Sequence, residues 1–232
     1  MCVVIPAKNE GASIATVIRG LKEAQPEVSI VVVDDHSSDR TSQIAMQEGV
    51  IVLRHPFCLG AWCAMQTGIR YARQNRFEKL LTMDADGQHL PSMVSLLIEK
   101  MEATGSNVVI GEAPSRGSAA RKVAWNVFRR LFDLGIKDVT SGFRLYDASA
   151  IKILARPSAT YLEYQDAGVL ALLLRNGLTV SSVCVEMSDR AHGKSRIFSS
   201  WLNVASYMSH TLLLGIATKR RRAPSILDGE KE

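Results

Sequence analysis

The sequence has few aromatic residues and little net charge. Aromatic side chains make up 6% of its 232 residues, and 28 basic against 23 acidic residues leave a net charge of +5. A nucleic-acid-binding surface usually combines clustered positive charge with aromatic side chains, so this balance argues against a nucleic-acid partner. Part of the excess lies in one basic run at residues 219–222.

Cysteines and long apolar runs are also scarce. The four cysteines, Cys2, Cys58, Cys63 and Cys184, form no paired Cys-x-x-Cys zinc pattern. Dispersed thiols in apolar surroundings indicate a reducing compartment, so we expect a cytoplasmic protein. No apolar run reaches about 18 residues, so no membrane-spanning helix is expected. No charged segment precedes the first strand, and we therefore expect no signal peptide.

Short apolar runs alternate with amphipathic segments through the first half of the chain. The runs lie at residues 2–5, 28–33, 50–53, 80–83 and 107–110. Between them, apolar residues recur at helical spacing, and Asn9 is expected to cap the first helix. This alternation predicts an α/β fold with a mainly parallel sheet covered by helices on both faces.

The second half has a less regular pattern. It predicts a basic helix at 118–134, an extended segment at 138–146, a helix at 163–176, a strand at 179–187 and a cationic loop at 188–196. An amphipathic C-terminal helix follows at 197–218. We expect one domain over 1–218, with a nucleotide half at 1–111 and an acceptor half at 112–196. A basic, disordered tail is expected at 219–232.

Polar clusters follow three of the predicted strands. They occupy Pro6–Glu10, Asp34–Ser37 and Asp84–Gln88. Because ligands of parallel α/β sheets bind beyond the carboxyl ends of the strands, we expect these clusters to form one site. Asp84 and Asp86, one residue apart, fit a clamp for a divalent metal and a diphosphate. The alternative is a surface turn stabilised by aspartate hydrogen bonds.

Other polar stretches have two interpretations each. Asp34 and Asp35 would either cap a helix or accept hydrogen bonds from a nucleobase and ribose, and we favour the second. The loop Arg190–Arg196 would be a solvated charge run or a phosphate clamp. The C-terminal helix would pack on the domain or lie on an anionic membrane surface beside the basic run.

Seven ordered motifs extend over almost the whole chain. They are Val4–Glu10, Val33–Thr41, Gly60 with Gln66–Gly68 and Tyr71-Ala72, Asp84–His89, Val109–Gly111, Asp138–Arg144 and Arg190–Ser195. Together they resemble glycosyltransferase family 2, which has the GT-A (Rossmann-like) fold. Within it they are similar to the polyprenyl-phosphate sugar transferases of the dolichyl-phosphate mannosyltransferase type.

The resemblance implies a role for each matching residue. It implies a metal-dependent inverting transfer of a sugar from a nucleoside diphosphate sugar to a polyprenyl (lipid) phosphate or a related cell-envelope acceptor. The transfer would take place at the cytoplasmic face of a membrane or beside a small membrane partner. Mg²⁺ or Mn²⁺ would be held by Asp84, Asp86 and Gln88. The donor would contact Pro6, Lys8, Glu10, Asp34, Asp35, Asp84, Gln88, Lys194 and Arg196. Asp84, Asp86, Arg144 and Arg190 would act in catalysis, with Ser141 and Arg144 near the acceptor.

Three features depart from the family pattern. Cys58 stands where the family usually has Asn, His36 and Arg40 replace glycines, and the segment after Gly111 is short. These departures keep a catalytically silent nucleotide-sugar-binding or scaffold protein as an alternative. Transfer to a sugar hydroxyl is a second alternative, with Asp138 or Asp166 as base. A nucleotidyltransferase would need a Gly-rich basic loop after the first strand, which Pro6–Glu10 is not.

Overall fold

A computed structural model of the chain describes residues 1–113, 138, 140–162 and 167–188. The predicted helix at 118–134, the loop at 190–196, the C-terminal helix at 197–218, the tail and Asp166 lie outside these residues. In the part that is described, no helix is long and apolar enough to cross a membrane.

The elements alternate from the first residue. In chain order they are β1 (Cys2–Ala7), α1 (Ile14–Ala24), β2 (Ser29–Asp34), α2 (Thr41–Gln47), β3 (Ile51–Arg54), α3 (Ala61–Gln74), β4 (Lys79–Thr82), a 3-10 turn (Pro91–Met93), α4 (Val94–Thr104), β5 (Val108–Glu112), β6 (Arg144–Asp147), α5 (Ala148–Leu154), a second 3-10 turn (Pro157–Tyr161), α6 (Ala167–Arg175) and β7 (Val180–Cys184). The predicted strand–helix alternation is confirmed.

The seven strands of the described residues form one mixed sheet, in the order β3-β2-β1-β4-β6-β5-β7. β1 pairs in parallel with β2 and β4, and β5 pairs in parallel with β7. β6 is antiparallel to both of its neighbours, β4 and β5. The sheet is therefore mainly parallel, as the sequence predicts, with one strand reversed near its middle. β5 continues to Glu112, so the expected division at residues 111/112 falls inside a strand.

Alternate residues of the strands pack on opposite faces of the sheet. Val4 and Leu80 join one core with α3, α5 and α6, whereas Val3 and Leu81 join a second core with α1 and α4. Both cores are shielded from water, so the central strands are apolar on both faces, as parallel strands between helix layers must be.

The start of α1 differs from expectation. Asn9 does not cap this helix: Ser13 occupies the N-cap position, and no side chain there makes a capping hydrogen bond. Asn9 instead has φ of +57° and accepts a hydrogen bond from the Ser38 N–H at 2.8 Å. Its side chain thus connects the loop after β1 to the loop after β2.

Candidate active site at the carboxyl edge of the sheet

Three polar loops leave the same edge of the sheet. β2 and β4 flank β1 in parallel, so the chain leaves all three strands at one edge, where Pro6–Glu10, Asp34–Ser37 and Asp84–Gln88 lie. The Asp35 N–H donates to Ala7 O at 2.9 Å and the Met83 N–H donates to Val4 O at 3.1 Å, which extends the strand pairing into the loops. The sequence prediction that these clusters share one edge is confirmed.

Asp84 and Asp86 lie in the turn that follows β4. The Asp84 side chain is 47% exposed, while Asp86 is buried and its Oδ1 accepts the Gln88 N–H at 3.1 Å. Gly87 has φ of +77°, a backbone conformation that glycine adopts without strain, and this lets the chain reverse after Asp86. The turn therefore presents one half-exposed carboxylate and one that is fixed by its own loop.

His89 supports this turn from behind. Its Nδ1 accepts the Asp84 N–H at 3.1 Å, and its ring stacks on Phe143 with centroids 5.0 Å apart. An accepting Nδ1 carries no proton, so this contact requires a neutral ring with its proton on Nε2. From the sequence, His89 is predicted only to lie near the start of a helix. Its supporting role could have been inferred from the rule that a buried histidine needs a polar partner.

Gly142 approaches Asp84 from the loop before β6. A Cβ built on Gly142 would lie 3.0 Å from Asp84 Oδ1 and 3.1 Å from Oδ2. Thr82 Oγ1 donates to Gly142 O at 2.7 Å, which fixes this loop against the end of β4. The backbone of residue 142 thus forms one side of the space around the Asp84 carboxylate, and a larger residue would intrude on it.

Arg144, predicted to lie near the acceptor, is fully buried at the start of β6. Its Nε donates to Ser141 O at 2.8 Å, and the Ser141 hydroxyl accepts the Phe143 N–H at 3.2 Å. Arg144 pairs with Thr82 at the end of β4, and Ser141 precedes Gly142, so both residues lie close to the Asp84 turn. Their contact with an acceptor stays a prediction.

Asp35 anchors the loop between β3 and α3. Its carboxylate accepts hydrogen bonds from the Leu59 N–H at 2.7 Å, the Gly60 N–H at 2.9 Å, His55 Nδ1 at 2.9 Å and the Cys58 thiol at 3.1 Å. Burial raises the pKa of Asp35, but these four hydrogen bonds outweigh it and bring the pKa to about 2. Asp35 is therefore ionised at neutral pH and holds residues 55–60 over the end of β2.

Asp34 is fully buried, and its partners are the loop after β2, the first turn of α2 and Arg54 of β3, whose Nε lies 3.5 Å from Oδ2. Its Oδ1 accepts the Ser37 N–H at 2.8 Å, and its Oδ2 accepts the Ser42 hydroxyl. The prediction that Asp34 or Asp35 contacts a base or ribose is not tested by these contacts. They do show that both carboxylates shape the loops around the edge.

The loop after β1 is tied to the loop after β2. The Asn9 N–H donates to Ser37 Oγ and the Glu10 N–H to Thr41 Oγ1, each at 2.9 Å. Lys8 Nζ, half-buried, lies 2.6 Å from Cys58 Sγ. Pro6, Lys8 and Glu10 therefore lie between the Asp34 loop on one side and the Asp84 turn on the other.

The carboxylates at this edge are suitable ligands for a hard divalent cation, but they would not fill its coordination shell by themselves. Asp84 and Asp86 offer oxygen ligands, which Mg²⁺ and Mn²⁺ prefer. Within residues 1–113 and the later described segments, no group of three or more His, Cys, Asp or Glu side chains is arranged to hold a metal. An ion at Asp84 and Asp86 would therefore take further oxygen ligands from water or from a bound diphosphate. Arg190, Lys194 and Arg196, predicted to close over the phosphates, lie outside the described residues.

Comparison with known sequences gives a match over most of the chain. The sequence model of the family described as "Glycosyl transferase family 2" matches residues 2–154. The polyprenol monophosphomannose synthase of Mycolicibacterium smegmatis is 28% identical over 244 residues, covering 97% of this chain and 90% of that protein. The undecaprenyl-phosphate mannosyltransferase of Micrococcus luteus is 29% identical over 168 residues, covering 65% of this chain and 68% of that protein.

Comparison with solved structures gives the same fold. Glucosyl-3-phosphoglycerate synthase from Mycobacterium tuberculosis, in complex with Mn²⁺, UDP and phosphoglyceric acid, aligns with a TM-score of 0.70 at 19% identity. The alignment covers 97% of this chain and 79% of that structure. At this identity the likeness establishes the GT-A, Rossmann-like fold.

Proposed function

The chain belongs to glycosyltransferase family 2, and from that premise we propose that it transfers a sugar from a nucleoside diphosphate sugar to a polyprenyl phosphate. The observation that carries the proposal is the meeting of three polar loops at one sheet edge, with Asp84 and Asp86 in the loop after β4. The acceptor class is supported by the names of two relatives, a polyprenol monophosphomannose synthase and an undecaprenyl-phosphate mannosyltransferase.

Asp84 and Asp86, with Gln88 beside them, would hold Mg²⁺ or Mn²⁺, which supplies positive charge against the leaving diphosphate. His89 and Gly142 hold the Asp84 turn in position from two sides. Lys8 and Glu10 would line the nucleotide pocket, and Arg190, Lys194 and Arg196 would add positive charge at the phosphates. The transfer would invert the anomeric centre, because the acceptor attacks opposite the leaving group.

A phosphate acceptor is already ionised at neutral pH, so this reaction needs no strong general base. Transfer to a sugar hydroxyl would need one. Asp138, one of the two candidates, is buried, and its Oδ1 accepts both the N–H and the hydroxyl of Thr140. This local bonding is typical of a residue that stabilises a turn and not of a general base. A phosphate acceptor is therefore better supported than a hydroxyl acceptor.

Membrane association is part of the proposal. A lipid phosphate is presented at a membrane surface, and the basic run at 219–222 would attract an anionic leaflet. We place the protein at the cytoplasmic face, either directly on the lipid or beside a small membrane partner.

The first test is thermal unfolding of the purified protein with UDP, GDP, CMP and dTDP, each with and without Mn²⁺ or Mg²⁺. A ligand at 100 times its dissociation constant adds about 2.7 kcal/mol to the free energy of unfolding. We expect one nucleotide to raise the melting temperature only when metal is present, and Asp84→Asn to lose that dependence. A metal-independent shift would contradict the Asp84–Asp86 assignment.

Activity is tested with the donor that this experiment identifies. Labelled sugar should move to a polyprenyl phosphate in detergent, and Asp84→Ala or Asp86→Ala should abolish the transfer without unfolding the protein. Nucleotide binding without turnover on any acceptor would favour the silent relative. Transfer to a free sugar but not to the lipid phosphate would favour the hydroxyl acceptor.

A further inference from the structure

A lysine and a cysteine from separate loops meet at the rim of the candidate active site. Lys8 follows β1, whereas Cys58 lies in the loop between β3 and α3. Lys8 Nζ is 2.6 Å from Cys58 Sγ, and Sγ is 3.1 Å from Asp35 Oδ2. Cys58 is exposed, so a small oxidant reaches it from solvent. Cys58 is also one of the positions at which this chain departs from the family pattern.

The separation of Nζ and Sγ is short for a non-covalent contact. N–H···O hydrogen bonds are about 2.7–3.2 Å long, and because sulfur is larger than oxygen, an N–H···S contact is longer. A nitrogen and a sulfur this close have the spacing of two atoms that are bonded to one common atom. The Cys58 thiol donates its hydrogen bond to Asp35 Oδ2, so the sulfur lone pairs remain available to accept from Lys8 Nζ.

We propose that oxidation joins Lys8 Nζ to Cys58 Sγ through a single oxygen atom, as a reversible N–O–S crosslink that controls the donor site. The co-reactant is dioxygen. The lysine ammonium first loses a proton to solvent. One oxygen atom then bonds to both nitrogen and sulfur, and the other leaves as water with one amine hydrogen and the thiol hydrogen. Four electrons pass from the pair to dioxygen.

Reduction reverses the crosslink. Four thiol equivalents of a reductant restore the amine and the thiol, release the bridging oxygen as water and form two disulfides of the reductant. The crosslink connects residues 50 positions apart in sequence and removes the positive charge of Lys8. The regulatory consequence rests on the proposed function, in which Lys8 contacts the nucleotide. Losing a charged contact of this kind should weaken nucleotide binding about tenfold or more.

Mass spectrometry tests the crosslink without any assumption about function. The purified protein is divided, one part is kept in dithiothreitol and the other is exposed to air and then to dilute peroxide. We expect the oxidised protein to gain about 14 Da, one oxygen gained and two hydrogens lost, and to yield a tryptic species that joins the Lys8 and Cys58 peptides. Dithiothreitol should restore the original mass.

Three variants make this assignment specific. Cys58→Ser and Lys8→Arg should both lose the 14 Da product, whereas Cys184→Ser, which removes another exposed thiol, should keep it. A gain of only 16 or 32 Da on Cys58, or a loss of 2 Da from a disulfide between Cys58 and Cys63, would overturn the proposal.

Nucleotide titration then tests the regulatory role. The crosslinked protein should bind the nucleotide about tenfold more weakly than the reduced protein, and Cys58→Ser should be insensitive to peroxide. If the crosslinked and reduced proteins bind equally, control of the donor site is refuted although the crosslink forms. If the reduced protein binds no nucleotide at all, it is the proposed function that fails.

Discussion

At the scale of single residues, the space around Asp84 depends on the absence of a side chain at position 142. A Cβ on Gly142 would lie 3.0 Å from Asp84 Oδ1, which is closer than most Cβ atoms lie to a neighbouring atom that is not bonded to them. The φ angle of Gly142 is not in the left-handed region, so an alanine would be limited by space and not by backbone strain.

We therefore predict that Gly142→Ala lowers metal-dependent nucleotide affinity about tenfold, since the Asp84 carboxylate must turn away from its present position. Titration of nucleotide with and without Mn²⁺ measures this. Urea unfolding serves as the control, because the half-exposed Asp84 can move and the fold should keep most of its stability. Unchanged affinity in a folded variant would mean that Asp84 does not hold the metal in this orientation.

Asp35 gives a prediction for pH. Its pKa, about 2 in the folded protein against an ordinary 3.8, means that ionised Asp35 stabilises the fold by about 2 kcal/mol. Because the folded pKa is the lower one, this stabilisation is complete above pH 4 and is lost as the pH falls from about 4 to 2. Urea unfolding of Asp35→Asn should show a deficit of about 2 kcal/mol at pH 7 that narrows towards pH 3. A deficit that does not change with pH would show that the loss of stability comes from packing and not from the charge of Asp35.

The sequence reveals some of these residues and not others. Asp84 and Asp86 can be identified because the pattern, a strand followed by two carboxylates, is local. Gly142 and His89 cannot, because their roles depend on contacts with Asp84 and Phe143 that only the folded chain creates. From the sequence, Asp35 is predicted to contact the ligand. In the structure, the four groups that donate hydrogen bonds to Asp35 come from residues 55–60, and the sequence does not specify the path of this loop.

At the scale of elements, α3 and β1 are in closer contact than ordinary side chains permit. A Cβ on Gly68 would lie 2.2 Å from Val4 Cγ1, so only glycine fits at this crossing. We predict that Gly68→Ala costs about 1–3 kcal/mol of the free energy of unfolding, even though alanine favours helix.

The matched control is Gly20→Ala in α1, where the atom nearest to the new Cβ would be Pro91 Cγ at 3.1 Å. This change should alter stability by less than about 1 kcal/mol, because helix propensity offsets the contact. Adding Val4→Ala to Gly68→Ala should recover part of the loss, since it removes the two methyl groups that obstruct the helix. Simple additivity of the two changes would show that the helix moves away from the strand instead.

The order of elements is predictable, whereas the direction of one strand is not. Apolar runs and helical spacing indicate β1 to β5 and the helices between them, because both signals depend on neighbouring residues. β6 is short, begins at Arg144 when β5 has ended at Glu112, and is reversed between two strands that come earlier in the chain. Nothing in its four residues distinguishes antiparallel from parallel pairing.

At the scale of the whole molecule, the basic run at 219–222 should govern association with an anionic membrane. Each cation near such a surface contributes about 1 kcal/mol. We predict that replacing all four residues with Gln lowers the affinity for anionic vesicles about a thousandfold at low salt, as measured by co-sedimentation. The affinity for neutral vesicles should not change. Nucleotide binding in solution should be unaffected. If binding to anionic vesicles is equally strong without the run, the lipid attachment lies elsewhere.

The reversed strand also has a consequence for how the protein is made. β4 pairs with β1 on one side and with β6 on the other, so a nascent chain that has reached Thr82 has an open edge on β4. Open edges pair with other chains and promote aggregation. Gly142, which faces Asp84, is also still unsynthesised at that point. Chains that end before Gly142 would therefore lack both the strand that covers β4 and the loop beside Asp84, and we expect the cell's quality-control proteases to degrade them.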